Sequence, residues 1–448
     1  MNQETIAAIA TPPGEGAISV IRISGPRSYD IVAEIFSGPV HTYPSHTAHY
    51  GKITTRDGDV LDRVLLLVMR EPKSYTGEDS VEIFCHGGSL ITRRVLERIF
   101  EAGARPAQPG EFSLRAYLNG KIDLAQAEAV QQLIAAKNTL ALHSAEKQLE
   151  GALSLRIRDF QKTLTDIAAI LEASVDFPEE GLEFATTEEI VIQLQTIVAK
   201  MKQLQDTFYE GKILHEGLSL CLLGSPNVGK SSLMNALLGH ERAIVTDIAG
   251  TTRDLLEENL RFGSFHFRLI DTAGIRETEE IVEQEGVRRS EKAMEQADVI
   301  LLVLDASHPL SSGDRALLTR VPQEKTILVW NKTDLAKPTE RLSDFSVCIS
   351  AKERTGLDQL KDAIEKWIWK KGPPSKEEVV ITQQRHHQAL GRAIDACKLV
   401  IQGLQSNASP EFVTSDLRHA LSELGTIIGA NVTEEILSAI FSKFCLGK

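Results

Sequence analysis

Eight residues near the middle of the chain have the spacing of a phosphate-binding loop. The run Gly224-Ser-Pro-Asn-Val-Gly-Lys230-Ser231 fits the pattern G-x-x-x-x-G-K-[ST], between the apolar run SLCLL and the helical pattern KSSLMNALL. Glycine lets backbone N–H groups turn inward around an anion, Lys230 supplies a point charge for β and γ phosphates, and Ser231 supplies a hydroxyl for Mg²⁺. The run therefore predicts a nucleoside triphosphate site.

Two later motifs follow apolar runs that read as strands. Asp271-Thr-Ala-Gly274 follows FHFRLI, so that Asp271 can hold a water on Mg²⁺ and Gly274 can approach the γ-phosphate. Asn331-Lys-Thr-Asp334 follows TILVW, and a carboxylate there can accept two hydrogen bonds from guanine that adenine cannot offer. These motifs predict GTP as the substrate.

Two shorter segments complete the predicted site. Ser350-Ala-Lys352 closes the base site, and Gly250-Thr-Thr252 offers Mg²⁺ a hydroxyl, which we assign to Thr252. The predicted GTP-binding residues are Asn227, Val228, Gly229, Lys230, Ser231, Ser232, Thr246, Asp247, Ile248, Ala249, Gly250, Thr251, Thr252, Asp271, Thr272, Ala273, Gly274, Asn331, Lys332, Asp334, Ser350, Ala351 and Lys352.

The residue after Gly274 bears on hydrolysis. It is Ile275, where small GTPases of the Ras type have a glutamine that orients water, and its side chain cannot hydrogen-bond. Another group must therefore position the water. The glutamates of the following segment are candidates, and the residues alone do not choose among them: Glu277, Glu279, Glu280, Glu283 and Glu285.

Composition bounds the class of protein. A chain of 448 residues is long enough for two to four domains. Its content of 42% hydrophobic and 25% charged residues is typical of globular proteins. A net charge of −13 restricts any RNA contact to a local region. The five scattered cysteines and the lack of a run of roughly 20 apolar residues predict a cytoplasmic protein without a membrane span.

The order of patterns along the chain predicts a multidomain fold. Short apolar runs and turn signals up to about residue 120 indicate an α+β domain with a partly antiparallel sheet. Residues 216–372 alternate strand and helix signals, as in a parallel α/β domain. The segments on either side, one of which opens with a capping box at Asp123 and Gln126, are helical. We infer an α/β domain inserted into one all-α domain whose halves pair.

Several strings resemble the MnmE (TrmE) family of bacterial tRNA-modification GTPases over the whole length. They include ATPPGEGAISVIRISG, PGEFSLRAYLNGKIDLAQAEAV, TDIAGTTRD, DTAGIRET and the terminal Phe444-Cys-Leu-Gly-Lys448. The GTPase motifs occur in many translation factors, whereas the N-terminal strings and the C-terminal C-x-G-K are specific to this family. The resemblance implies a folate-binding, dimerising N-terminal domain (1–118), a discontinuous helical domain (119–215 and 373–448) and an inserted P-loop GTPase domain (216–372).

The resemblance also implies an activity and partners. Members act with the flavoprotein MnmG (GidA), in a heterotetramer or larger complex, to install a carboxymethylaminomethyl or aminomethyl group at C5 of wobble uridine U34 in certain tRNAs. A 5-formyl- or 5,10-methylene-tetrahydrofolate supplies the carbon. Members are homodimers, and K⁺ supports dimerisation of their GTPase domains, so the resemblance implies the same for this chain.

Particular residues match the family's functional positions. Asn227, Thr246, Ile248 and Thr251 match its potassium ligands, and Ser231 and Thr252 its magnesium ligands. Glu283 matches the catalytic glutamate that acts through water, and we also place Lys230 and Cys445 among the catalytic residues. The folate positions fall on Arg22, Glu82, Lys121 and Lys448. A GTP-dependent assembly factor, and a partner that only gates MnmG, stay open as alternatives.

Overall fold

A computed structural model describes residues 4–176, 186–240, 259–262, 265–270, 292–338, 340, 342, 345–369, 379–445 and 447–448. The chain forms two compact units. The first comprises Met1–Ile134, Ala145–Gln205 and Arg385–Lys448, and the second comprises Ala135–Ser144 and Asp206–Gln384. Within the described residues, no helix is long and apolar enough to cross a membrane.

The first unit contains a mixed six-stranded sheet. Its strands are β1 Ile6–Ile9, β2 Ile18–Ser24, β3 Thr47–Thr54, β4 Val60–Met69, β5 Ser80–His86 and β6 Arg105–Pro106. The order is β3-β4-β5-β2-β1-β6, with β1–β6 parallel and the other pairs antiparallel. This confirms the predicted mixed sheet, although TAHYGKIT was not predicted as a strand because only one of its faces is buried, and that only in its second half.

Helices cover one face of this sheet and build the all-α part of the same unit. They are α1 Ser28–Ile35, α2 Ser89–Glu101, α3 Glu111–Leu118, α4 Leu124–Ala135, α5 Thr139–Leu149, α6 Ala152–Asp176, α7 Thr187–Asp206, α12 Gln384–Gln405, α13 Pro410–Ile428 and α14 Glu434–Phe441. The predicted capping box is present, since Asp123 and Gln126 each accept from the other's backbone N–H at 3.0 Å.

A buried ion cluster joins the two sequence halves of the helical domain. Glu128 of α4 is 4% exposed and lies 2.8 Å from Arg385 and 2.7 Å from His386 of α12. Burial raises the pKa of Glu128, but His386 and Arg385 outweigh burial and bring it from 4.5 to about 2. The halves therefore pair as the sequence predicted, through residues that the sequence patterns did not single out.

The second unit is built on a largely parallel sheet. Its strands are β7 Leu218–Leu223, β8 Asn259–Phe262, β9 Phe265–Ile270, β10 Val299–Asp305, β11 Thr326–Asn331 and β12 Ser346–Cys348, and its helices include α8 Phe208–Glu216, α9 Lys230–His240, α10 Ser312–Arg320 and α11 Leu357–Ile368. The order is β12-β11-β10-β7-β9-β8, and β8–β9 is the antiparallel pair. Strands β7 and β11 are buried throughout, which fits their largely apolar sequences.

Candidate functional site

The phosphate-loop motif connects β7 to α9 at the carboxyl end of the parallel sheet. Gly224 has φ +151° and Gly229 has φ +95°, and a Cβ would overlap the carbonyl oxygen of Val303 at the first and the Asn331 amide at the second. Both positions therefore require glycine. Parallel strands bring their carboxyl ends to one edge, where open α/β sheets bind their ligands.

Lys230 opens α9 and folds back over the loop. Its Nζ donates to the carbonyl oxygens of Gly224 at 2.8 Å and Ser225 at 3.0 Å. Burial lowers the pKa of Lys230 because it disfavours the charged form. The ammonium of Lys230 is partly buried, and a negatively charged phosphate bound beside it would compensate for the water that it has lost.

A neighbouring helix fixes the loop. Ser225 Oγ donates to Asp314 Oδ1 at 2.6 Å, and Asp314 also forms a capping box with Ser311 at the start of α10. Burial raises the pKa of Asp314, but the hydrogen bonds from Ser225 and Ser311 outweigh burial and lower it. Sequence reasoning missed Asp314, since Ser311 and Asp314 signal a helix start and not the loop contact.

Asn331 connects the phosphate loop to the base-site segments. Its Nδ2 donates to the Val228 carbonyl at 2.9 Å, and its Oδ1 accepts from the Ala351 backbone N–H at 3.0 Å. Asn331 is 2% exposed, so its amide holds two loops at a fixed separation. The structure thereby brings the phosphate loop, Asn331 and Ala351 to one sheet edge.

The remaining base-site residues lie around this link. Lys332 has φ +62°, and its Nζ lies 2.7 Å from Asp305 Oδ2. Burial raises the pKa of Asp305, but Lys332 and Ser307 outweigh burial and bring it to about 2. Asp334 and Lys352 are exposed, whereas Ser350 is fully buried and its Oγ accepts from the Glu353 N–H.

Several predicted site residues lie outside the described part of the chain. They are Thr246, Asp247, Ile248, Ala249, Gly250, Thr251, Thr252, Asp271, Thr272, Ala273, Gly274 and Glu283. Of the predicted ion ligands, Asn227 and Ser231 are described, and both are exposed on the phosphate loop or the first turn of α9. An amide and a hydroxyl oxygen there are of the types that K⁺ and Mg²⁺ take.

A second cluster gathers predicted folate residues in the first unit. Arg22 of β2 lies opposite Glu82 of β5, and its Nε donates to Glu82 Oε1 at 2.8 Å. Its guanidinium lies 5.4 Å from the ring centre of Tyr75 and 5.7 Å from that of Phe112. Sequence reasoning missed both rings; the turn signal around Tyr75 gives no indication of this contact.

The carboxyl-terminal tail reaches the same cluster. Arg22 Nη1 donates to the Gly447 carbonyl at 3.4 Å, although 425 positions separate the two residues. Gly447 has φ +91°, and a Cβ there would overlap the Ile9 carbonyl oxygen, so the tail lies tight against β1. Burial and then Arg22 lower the pKa of Lys448, and Glu82 and Cys445 act in the opposite direction.

The other two predicted residues of this region are placed differently. Lys121, between α3 and α4, is exposed, and its Nζ donates to the Pro72 carbonyl at 3.0 Å, so it contacts the loop that carries Tyr75. Cys445 is an exposed free thiol. The structure thus joins Arg22, Glu82 and the tail directly and places Lys121 on a neighbouring loop.

Comparison with known proteins gives matches along the whole chain. The family profile "MnmE helical domain" matches residues 124–445, and "GTP-binding protein TrmE N-terminus" matches residues 5–121. A "tRNA modification GTPase MnmE" of Protochlamydia amoebophila is 60% identical over 447 residues, covering 99% of this chain and 98% of the relative. The protein of that name in Chlamydia felis is 46% identical over 449 residues, covering 100% of both.

Solved structures resemble part of the chain. The G domain of FeoB from Methanococcus jannaschii is 25% identical with a TM-score of 0.25, and the match covers 34% of this chain and 97% of that one. The G domain of the T. maritima FeoB iron transporter is 26% identical with a TM-score of 0.25, covering 34% and 98%.

Proposed function

This chain belongs to the MnmE family of tRNA modification GTPases, and from that premise we propose that it uses GTP hydrolysis to drive modification of wobble uridine U34. With MnmG, it would add a carboxymethylaminomethyl or aminomethyl group at C5 in certain tRNAs. The site of action would be the cytoplasm, where tRNA is available.

The observation that carries this proposal is the docking of the tail on the amino-terminal sheet. The Arg22–Gly447 contact brings Lys448 and Cys445 to the Arg22–Glu82 pair. A GTPase that only switched between binding states would have no evident use for a thiol and an amine gathered in a unit other than the one that carries its nucleotide site. A group-transfer enzyme has such a use, because an amine and a guanidinium can pair ligand carboxylates.

At the nucleotide site we propose a division of labour. Backbone N–H groups of residues 225–230 and the ammonium of Lys230 bind the phosphates, while Asp334 selects guanine. Ser231 and Thr252 would hold Mg²⁺, and Asn227, Thr246, Ile248 and Thr251 would hold K⁺. When bound, these ions supply positive charge beside the phosphates as charge develops. Glu283 orients the attacking water through a second water, which replaces the glutamine missing at Ile275.

At the second cluster we propose a tetrahydrofolate site. Glu82 reads pterin N–H groups, and Arg22, Lys121 and Lys448 pair with the glutamyl carboxylate. Because Arg22 is already engaged by Glu82 and Gly447, Lys448 is the more available cation at the centre of the cluster. A 5-formyl or 5,10-methylene derivative would supply the carbon, and Cys445 stands close enough to Lys448 to influence its pKa.

We also propose that two copies associate through the part of one face of the amino-terminal sheet that α3 and the carboxyl-terminal tail leave uncovered. Tyr50, Leu65, Phe84 and Val20 follow one another across β3, β4, β5 and β2 by strand register. Tyr50 on the edge strand β3 is 67% exposed and Leu65 on β4 is 48% exposed, so the band presents large apolar side chains to solvent. A second copy would bury this band.

The test is mass analysis of wobble-uridine nucleosides from cells that lack the chain. We expect the carboxymethylaminomethyl and aminomethyl uridines to disappear and to return when the chain is expressed. Unchanged nucleosides in the deletion strain would contradict the proposed modification and favour a role in assembly.

Variants expressed in the deletion strain test the proposed folate site separately from the proposed modification of U34. Arg22→Met is expected to fail in restoring the nucleosides and to lose binding of 5-formyltetrahydrofolate by the purified full-length chain. Arg70→Met is the matched control, because Arg70 also lies over an aromatic ring in this domain, 4.5 Å from the centre of Tyr29. Restoration by a wild-type chain that binds no folate would favour a purely regulatory role toward MnmG.

A further inference from the structure

The break between α4 and α5 is built into the second unit, although its flanking helices continue into the first. Asn138 has two roles at this break. Its Oδ1 accepts from the Ala141 N–H at 2.7 Å and caps α5, and its Nδ2 donates to the Leu214 carbonyl at 3.1 Å. Leu214 belongs to the last turn of α8, where carbonyl groups lack helical partners. The break is therefore fixed to α8 by a specific hydrogen bond.

Two further residues attach the same break to the β8–β9 hairpin. Leu140 packs against the buried cluster that includes Leu214, Phe265 and Phe267. Lys137 Nζ lies 3.2 Å from Nε2 of His266, the second residue of β9. Lys137 thus contacts the hairpin directly. Leu140 packs against the apolar cluster that includes the hairpin residues Phe265 and Phe267, and Asn138 contacts Leu214 of the same cluster.

The hairpin is confined on another side as well. Gly217, just before β7, has φ +76°, and a Cβ there would overlap the His266 carbonyl oxygen. His266 consequently lies between the backbone at Gly217 and the ammonium of Lys137. A shift of β9 along its own axis would disturb one contact or the other.

The position of the hairpin in the sequence gives these contacts a role in the reaction. It follows the segment TDIAGTTRD, which carries the predicted magnesium ligand Thr252, and β9 ends directly before Asp271 of DTAG. The register of the hairpin thus sets the positions of Asn259 and Ile270, the described residues nearest to these two segments. A displacement of about 1 Å in the groups around the phosphates can lower the rate of hydrolysis strongly.

We propose that Lys137 is a positioning residue for GTP hydrolysis, which acts by holding His266 and so the register of the β8–β9 hairpin. The segment 136–140 then serves as the fixed point against which the hairpin is placed. This role concerns the GTPase reaction itself and not the folate cluster or the contact with MnmG.

The charge state of the pair is consistent with this geometry. Burial and then Lys137 lower the pKa of His266 from 6.5 to about 4, so the imidazole is neutral near pH 7 and its Nε2 can accept from the ammonium. The neutral imidazole of His266 therefore accepts a hydrogen bond from the charged ammonium of Lys137, and no repulsion between two cations opposes the contact.

The experiment compares steady-state GTP hydrolysis of full-length variants. Lys137→Met removes the donor and keeps most of the stem; we expect kcat to fall about fivefold, near the low end of typical coupling effects, with KM within about twofold. Lys137→Arg retains a donor and is expected to stay near the wild-type kcat. The matched control is Lys366→Met, an exposed lysine of α11 in the same unit.

A double-mutant cycle with His266→Phe tests whether Lys137 acts through His266. If it does, the double variant loses no more kcat than the more impaired single variant. A Lys137→Met kcat equal to that of the control, or losses that multiply in the double variant, would overturn the proposal. A fall in thermal stability at unchanged kcat would also overturn it, since the role would then be structural alone.

Discussion

Polar side chains at the nucleotide site connect its loops to each other, a role that the sequence motifs do not indicate. Asn331 was predicted as a GTP-binding residue, and both ends of its amide are engaged by Val228 and Ala351. Ser225 is an unspecified position of the loop motif, yet it is anchored by the buried Asp314. At this scale, Asn331 and Ser225 shape the site through hydrogen bonds to other protein residues.

Asn227 allows a prediction about the monovalent ion. It is an exposed asparagine with φ +64°, a backbone conformation that asparagine tolerates better than most residues. We expect replacement of K⁺ by Na⁺, at matched ionic strength and Mg²⁺, to lower GTP turnover roughly tenfold or more, because charge-stabilising groups typically contribute at least that much. Phosphate release would measure it.

The control for this prediction lies on the following helix. Asn235→Ala changes an exposed asparagine of α9 and should keep the full preference for K⁺, whereas Asn227→Ala should abolish it. Equal turnover of the wild type in both salts would remove the potassium site from the mechanism.

At the scale of elements, the pairing of α4 with α12 depends on charge as much as on apolar contact. Glu128 accepts from Arg385, whose other donors reach the carbonyl groups of Thr426 and Ile427 at the end of α13. One arginine therefore satisfies a buried carboxylate and the carbonyl end of a helix. This pairing closes the helical domain around an insertion of more than a hundred residues.

Glu128→Ala is expected to destabilise the first unit by about 3–5 kcal/mol, because it leaves Arg385 and His386 buried without their carboxylate. Urea unfolding followed by circular dichroism would measure it. Glu423→Ala is the comparison, because its partner Arg392 is 52% exposed and such pairs contribute about 0–1 kcal/mol. Similar losses in the two variants would contradict the assigned role of the cluster.

The same cluster predicts a pH effect. Since the pKa of Glu128 falls from 4.5 to about 2 on folding, its contribution is complete above about pH 4.5 and is lost as the pH falls toward 2. Glu128→Gln should therefore lose less stability than the wild type over this interval.

At the scale of the whole molecule, the uncovered part of the amino-terminal sheet face determines the assembly that we propose. Leu65→Arg places a charge in the middle of the band formed by Tyr50, Leu65, Phe84 and Val20, and we expect it to halve the mass measured by light scattering. Leu399→Arg on α12, where Leu399 is 52% exposed, should leave the mass unchanged. A dimeric Leu65→Arg variant would place the interface elsewhere.

The whole chain also shows where sequence reasoning reached its limit. The predicted fold, an α/β domain inserted into a helical domain after an α+β domain, is confirmed, since each domain has its own periodicity. Strand β3 was missed because its more buried face carries Thr47, His49, Gly51 and Ile53, so that its sequence shows no alternation of apolar and polar residues. The break at residues 136–138 was not predicted within the helical segment, since no proline or glycine marks it.

The sequence by itself determined whatever depends on neighbouring residues: the glycine-dependent phosphate loop, the capping box at Asp123, and the strands and helices that carry each motif. These follow from local sterics and hydrogen bonds, which short-range patterns record. Only the tertiary structure decided which distant residues meet. The contacts of Arg22 with Gly447, Glu128 with Arg385 and Asn138 with Leu214 each depend on how whole elements pack, and no spacing along the chain encodes that packing.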